Sequence, residues 1–370
     1  MSTMKILYCA HGDYWGSTWP YAFIDKYILE TLKGMGHEVK VFDVFTRANM
    51  VVSFLNAYAK KFNLSQSQLI NIMDDRATAD LPLEVLEYKP DLVLHIVGRI
   101  SERVLKALKQ LKTKTAIWFL DDPQEIDKTS KMGTLYDFVY TVESSCVDAH
   151  KKAGSKNAEF LPLGCLPSIQ KKMEVEDKYK SDICFIGVPF PRRVEIFDTL
   201  ADFLKDFNVK IIGGGENIGS SEDPWMWQKK LKRLDVLGKF IVDEIVHPEE
   251  SAKYYNGGKI NLNIHRAAID ERFKFGNVQK ILPQSVSGRT FEIAGCGAFQ
   301  LIDQERANYA IHFKDGQEIV SFKDIDDFKK KIEYYLSHDD ERKKIGDAAQ
   351  KRAYADHTYE NRLKKILSKI

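Results

Sequence analysis

Arg289 and Glu292, in the run Ser287-Gly-Arg-Thr-Phe-Glu-Ile-Ala-Gly-Cys-Gly297, stand three residues apart near a predicted helix start, so both side chains leave one face. A guanidinium holds phosphate oxygens through paired N–H donors, and a carboxylate accepts the hydroxyls of a diol. One helix end could therefore grip a diphosphate and a ribose together. The plainer reading is an intrahelical ion pair worth roughly 0.2–0.5 kcal/mol. A second anion site is suggested by Ile186-Gly-Val-Pro-Phe-Pro-Arg-Arg193, where Gly187 turns the chain and Arg192 and Arg193 fall at a helix N-terminus. Arginine there opposes the helix dipole and needs another reason to be present. Gly213-Gly-Gly-Glu-Asn-Ile-Gly219 superficially resembles a dinucleotide fingerprint. Its spacing is G-x-G-x-x-x-G and no helix follows, which argues against a nicotinamide cofactor.

In the first half, Asp121-Asp122-Pro123 follows a predicted strand. Adjacent carboxylates raise each other's pKa, which suits a proton acceptor. A cap or solvated turn is the favoured reading for Asp122 and less so for Asp121, which becomes the candidate base. His11 and Asp13, in the loop His11-Gly-Asp-Tyr-Trp-Gly-Ser-Thr-Trp-Pro20, are further candidates beside Trp15 and Trp19. Those tryptophans either pack the loop or stack an acceptor, with nothing to choose between the two. His95, inside the strand run DLVLHIV, reads as a core histidine.

These residues need a scaffold, and the order of elements supplies one. Strands are predicted at Lys5–Ala10, Glu38–Phe45, Asp91–Val97, Thr115–Leu120, Phe138–Val142 and Ala158–Leu163, with helices between several of them. A second series follows at Asp182–Ile186, Val209–Ile212, Ile260–Ile264 and Ala298–Ile302. Strand, crossover helix, strand is the pattern of a parallel α/β sheet, and ligands bind beyond the carboxyl ends of such strands. The candidate residues after Ala10, Leu120 and Ile186 sit at such ends. The reading is two Rossmann-like domains: 1–165, joined by a C-terminal helix over 357–370, and 181–356, with a lysine-rich linker over 166–180.

At 370 residues, 44% hydrophobic and 29% charged, the chain is a globular protein long enough for two domains. Its +2 net charge provides no drive toward nucleic acid. The cluster Lys229, Lys230, Lys232 and Arg233 near Trp225 and Trp227 reads as a solvated helix face. Five scattered cysteines without C-x-x-C spacing indicate neither a disulfide framework nor zinc and suit the cytoplasm. No apolar run approaches the ~20 residues of a spanning helix.

The run Arg289-Thr-Phe-Glu292-Ile-Ala-Gly-Cys-Gly297-Ala-Phe-Gln-Leu, with His312-Phe-Lys-Asp-Gly-Gln-Glu318, Ile332-Glu-Tyr-Tyr-Leu-Ser-His338, Arg342 and His357-Thr-Tyr359, resembles the C-terminal domain of CgeB-like glycosyltransferases of the GT-B group. Gly187 with Arg192 or Arg193 matches that family's diphosphate loop, and Asn261-Leu-Asn263 its strand before the donor site. The resemblance implies an α/β GT-B fold, two Rossmann-like domains facing across a cleft, with the C-terminal helix crossing back to the first. It implies a nucleoside-diphosphate sugar as co-substrate, no other cofactor and no metal. Glu292 would take the ribose, Arg192, Arg193 and Arg289 would lie near the diphosphate, and Asn263 beside the donor. The first domain would present an acceptor of unknown kind: glycan, protein or small molecule. Many related retaining enzymes carry a glutamate eight positions before the ribose-binding one; here that position is Gln284, which leaves the stereochemical outcome open. Asp324-Ile-Asp326 reads as a capped helix start and not as a metal-binding pair. Two other readings stand beside a sugar transferase: an inactive nucleotide-binding protein of the same fold, and a transferase acting on nucleic acid.

Overall fold

The computed structural model describes residues 2–10, 20–97, 100–219, 224–269 and 276–370. The first sheet contains β1 (Lys5–Ala10), β2 (Glu38–Asp43), β3 (Leu92–Ile96), β4 (Lys114–Phe119), β5 (Phe138–Thr141) and β6 (Ala158–Phe160). Its order is β2-β1-β3-β4-β5-β6, every pair parallel. All five residues of β3 and five of the six in β4 are buried, because crossover helices cover both faces of a parallel sheet. Helix Glu102–Gln110 shows why: Val104, Leu105 and Leu108 form one apolar stripe, and they pack with Leu7, Val93 and Ile117. Three helices, Val44–Phe62, Gln66–Thr78 and Leu81–Tyr88, fill the long β2–β3 connection. Asp43 caps the first by accepting from the Thr46 N–H, and Ser65 with Gln68 forms a reciprocal capping box on the second.

The second sheet is built from β7 (Ser181–Ile186), β8 (Val209–Ile212), β11 (Ile241–Val242), β12 (Gly258–Asn263), β13 (Gln300–Asp303) and β14 (Val320–Phe322). Its order is β11-β8-β7-β12-β13-β14, again wholly parallel. Between β8 and β11 a small antiparallel pair, β9 (Gly215–Gly219) with β10 (Pro224–Trp225), takes up the glycine-rich run. That run opens a ribbon and not a cofactor-binding helix. Trp227 is fully buried, edge-on to Phe185 and Phe197 at 5.8 and 5.3 Å, so it belongs to the core. Arg233 from the basic cluster pairs with Asp202 and Asp235. Asp324 caps helix Ile325–Leu336 by accepting from the Asp327 N–H.

The chain folds as two compact units. One comprises Met1–Pro162, Glu271–Pro283 and Glu360–Ile370; the other comprises Leu163–Asp270 and Gln284–Tyr359. The stretch read as a linker, 166–180, packs within the second unit: Leu166, Ile169 and Gln170 are buried, and Tyr179 meets Tyr254 edge-on at 4.9 Å. The segment after residue 275 belongs to the first unit, where the Asp127 N–H donates to Gly276 O and the Ser145 hydroxyl to Leu282 O. From Glu360 the last helix, Tyr359–Leu367, also belongs to the first unit. Arg362 donates to Pro162 O, and Lys365 and Lys369 both pair with Glu159. No helix among the described residues is long and apolar enough to cross a membrane.

Candidate functional site

In the second unit, polar groups converge where β7, β8, β12 and β13 end. Gly187 follows β7, and its N–H donates to Ile212 O at 2.8 Å while its O accepts from the Trp227 indole at 3.0 Å. A Cβ on Gly187 would lie 2.6 Å from Arg289 Nη2 and 3.1 Å from Arg193 Nη1. Two guanidinium groups therefore rest against a bare backbone. Gly213, at φ +113°, presses on the same peptide from the other side, where its own Cβ would meet Gly187 O at 2.9 Å.

Each nearby arginine is held differently. Arg193 is buried, with Nε donating to Ile264 O at 2.9 Å and Nη1 to Val188 O at 3.0 Å. Its guanidinium stands 4.9 Å from the Phe190 ring centre. Arg289 donates from Nη1 to Asn263 Oδ1 at 3.0 Å and stacks 5.1 Å from the Phe185 ring centre. Burial, then the like charges of Arg289, Arg266 and Arg192, push Arg193 well below its ordinary pKa, with Asp303 opposing. Among the described residues neither Arg193 nor Arg289 has an ion-pair partner, whereas Arg192 pairs with Asp303 and Glu305.

Arg192 does not share the position expected of it. Its Nη1 donates to Asp303 Oδ2 at 2.6 Å and to His265 O at 2.9 Å, and its Nη2 lies 3.4 Å from Glu305. It is a strut between β13 and the chain after β12, because a buried carboxylate requires a charged partner. Asn263 likewise turns inward and is fully buried. Its Nδ2 donates to Thr290 Oγ1 and Gln300 Oε1, and its Oδ1 accepts from Arg289. It orients Arg289, with no polar atom left for a ligand.

Glu292 sits one turn along helix Gly288–Gly295, half-buried, on the helix that carries Arg289. Its charge reaches Tyr255 and Cys296, whose phenol and thiol are pushed up first by burial and then by that carboxylate. Gln284 is exposed.

In the first unit, β4 delivers Asp121 and Asp122 to different fates. The Asp122 carboxylate is buried and accepts from Thr129 Oγ1 at 2.6 Å and Thr141 Oγ1 at 2.7 Å, with His150 Nε2 also at 2.7 Å. It is a structural staple. Asp121 is half-buried and lines a small hollow with Val97, Phe119, Lys128 and Met132. His95 is a core residue bonded to the Tyr136 hydroxyl at 2.6 Å. His11, Asp13, Trp15 and Trp19 lie outside the described residues.

Gly187, Arg193, Asn263 and Arg289 thus come together at one strand-end site, with Glu292 one helical turn away. Sequence reasoning missed His265 and Asp303. His265 Nδ1 lies 2.7 Å from Asp303 Oδ1, and its backbone N–H donates to Asp303 Oδ2 at 2.8 Å. Burial pushes the His265 pKa down to about 4 although Asp303 pulls the other way. Burial would raise Asp303, but His265 and Arg192 outweigh it and hold the carboxyl below its usual range. The available signal was polar residues inside apolar strands: Asn261, Asn263, Gln300 and Asp303 interrupt β12 and β13.

The profile of a family described as "Glycosyl transferase-like" matches residues 192–368, the part that carries these arginines and Glu292. The chain is 29% identical over 288 residues to the spore protein CgeB of Bacillus subtilis (strain 168), covering 77% of this chain and 84% of that one. Among solved structures it is similar to sucrose-phosphate synthase from Thermosynechococcus elongatus, with TM-score 0.65 and 10% identity, covering 99% and 98% of the two chains. HepE of Anabaena, solved in complex with UDP-glucose, superimposes with TM-score 0.61 at 13% identity, covering 99% and 100%. At such identities the likeness speaks for the fold.

Proposed function

We propose that this chain, a CgeB-like protein with a glycosyl transferase-like domain on the GT-B fold, moves a sugar from a nucleoside-diphosphate sugar to an acceptor hydroxyl without a metal ion. The observation that carries the reading is the pair of guanidinium groups, Arg193 and Arg289, set against Gly187 with no ion pair to either among the described residues. Arg289 would contact the diphosphate, and the buried charge of Arg193 would add field from behind, stabilising the departing group as negative charge grows on it. The N-terminus of helix Gly288–Gly295 would contribute its amides to the same anion. Glu292, a turn further on, would accept the ribose hydroxyls. With arginines supplying the positive charge, no divalent cation is required for this task. The neighbour bound to UDP-glucose supports a nucleotide-sugar donor as the class.

Asp121 would take the proton of the acceptor hydroxyl in an inverting reaction, and a retaining one would not call on it. The acceptor belongs to the first unit in this reading. All five cysteines are buried and none is joined in a disulfide, which suits a reducing cytoplasm. An inactive nucleotide-binding protein is the second reading, favoured by Gln284 alone.

The test is thermal stabilisation by UDP, GDP, ADP, CMP and dTDP. One nucleotide at about 100 times its dissociation constant should add about 2.7 kcal/mol, and Glu292→Ala should weaken that response without unfolding the protein. No response to any nucleotide overturns the donor site. Binding without transfer or hydrolysis of the matching nucleotide sugar selects the inactive reading.

A further inference from the structure

Hydrogen-bond roles around His265 are forced by its neighbours. Asp303 is ionised and only accepts, so the proton on the ring sits on Nδ1, facing Asp303 Oδ1 at 2.7 Å. Nε2 then carries a lone pair, and the Ser287 N–H donates to it at 3.3 Å. Ser287 is the N-cap residue of helix Gly288–Gly295, and its side chain makes no cap bond to the helix. The ring therefore reaches across from the end of β12 to the residue that begins the Arg289 helix. Asp303 in turn is fixed by the His265 N–H and by Arg192, which also grips His265 O. Two positions beyond Ser287, Arg289 meets the Gly187 backbone.

We propose that His265 is a positioning residue: its neutral ring, oriented by Asp303, fixes the first turn of helix Gly288–Gly295 and so sets the Arg289 guanidinium for a diphosphate. The inference rests on the donor-site reading for its ligand, but not for the hydrogen-bond chain itself. A packing role alone would be met by an apolar side chain of similar volume, but such a side chain would take a hydrogen-bond donor from an ionised carboxylate that is 1% exposed, which is costly. What the polar chain adds is direction. The ring accepts at one edge only because Asp303 occupies the other. Asn263 completes the arrangement by accepting from both Ser287 Oγ and Arg289 Nη1.

Two substitutions at one position separate this role from packing. In His265→Asn the amide can still donate to Asp303, but nothing reaches the Ser287 N–H. In His265→Gln the longer amide can place its oxygen near the site of Nε2 and restore the acceptor. Amide hydrogen exchange on the free protein and affinity for UDP and for inorganic pyrophosphate are the two readouts. We expect His265→Asn to speed exchange at Ser287 about tenfold, to leave helix Ile325–Leu336 unchanged, and to weaken both ligands about tenfold, the order of one hydrogen bond. His265→Gln should recover most of each.

Wild-type exchange in His265→Asn, or equal damage from Gln and Asn, overturns the proposal. If His265→Asn does not fold, Ser287→Pro removes the donor from the other side. Ser287 has φ −74°, which proline adopts, and Ser287→Ala controls for the hydroxyl. Weaker UDP binding in the proline variant and not in the alanine one supports the chain; equal binding in both refutes it. Should the wild type bind neither UDP nor pyrophosphate, the donor-site reading fails, and the exchange result still decides whether His265 holds the helix.

Discussion

Replacing Gly187 by alanine adds one methyl group at the point where Arg193 and Arg289 meet the backbone. Gly187 does not adopt a left-handed φ, so alanine brings no backbone strain, and the effect is steric. The new Cβ would stand 2.6 Å from Arg289 Nη2, whereas ordinary contact begins at 3.4 Å, so that guanidinium must withdraw by about 0.8 Å. Arg193, at 3.1 Å, has little room to yield because two carbonyl oxygens hold it. Arg289 is a long side chain reached at its tip, so it moves, and its bond to Asn263 is strained or lost. If Arg289 makes one charge-assisted bond to the diphosphate, its displacement costs roughly 1.5–3 kcal/mol of binding, or about tenfold to about a hundredfold in Kd. Folding stability should fall by less, under about 1.5 kcal/mol, since the clash is relieved by a side-chain end. Calorimetric titration with the nucleotide selected by the stabilisation panel, alongside urea unfolding, measures both. The substitution should cost nothing further in an Arg289→Met background. Undiminished affinity in Gly187→Ala, or an equal loss in that background, would refute the contact as the cause.

Arg192 and Arg289 should separate cleanly. Arg192→Met leaves the Asp303 carboxylate short of its charged partner and should cost roughly 2–4 kcal/mol of stability, the lower part reflecting an arginine that is 21% exposed. Arg289→Met should weaken nucleotide binding about tenfold to about a hundredfold with about 1 kcal/mol or less lost on unfolding; reversed rankings in denaturant and titration would show the strut assignment to be wrong. Asp121→Asn should spare nucleotide binding and lower transfer about a hundredfold or more if Asp121 is the base, so unchanged turnover removes it from that role. His265 is held neutral when folded, with its pKa down from 6.5 to about 4, so the unfolded chain takes up the proton first as pH falls. The stability it contributes is present above about pH 6.5 and is lost toward pH 4, at up to about 1.4 kcal/mol per pH unit. His265→Gln should show a shallower acid decline over that window, and parallel curves would contradict the neutral ring.

Strand positions were legible because parallel strands covered on both faces are short, mostly apolar runs, and KILYCA, LVLHI and VKII each carry a single polar residue. The residues after them could be named as site candidates for the same reason, since ligands meet open α/β sheets at those ends. Gly187 and Arg193 were singled out this way, and Arg289 by its three-residue spacing to Glu292 on one helix face. The three helices between β2 and β3 were not, because their exposed Met50, Phe54, Phe62 and Leu83 blur the apolar stripe that marks a helix. A single bond type can also mislead. Arg192 and Arg193 are neighbours with the same chemistry, and nothing in their spacing says that one ties down Asp303 while the other donates to Ile264 O and rests against Gly187.

Local chemistry therefore settled the α/β class, the two series of strands and the residue types able to meet a diphosphate. Those depend on side-chain periodicity and on turn residues, which act over a few positions. Tertiary structure alone decided the partners: Asp303 with Arg192 across 111 residues, Asn263 with Arg289 across 26, and Asp122 with His150 across 28. It also decided that Asp122 is a buried staple while its neighbour Asp121 stays half-exposed. Burial and pairing arise from which strands lie side by side, and that order is set by the packing of the whole sheet and not by any local run of sequence.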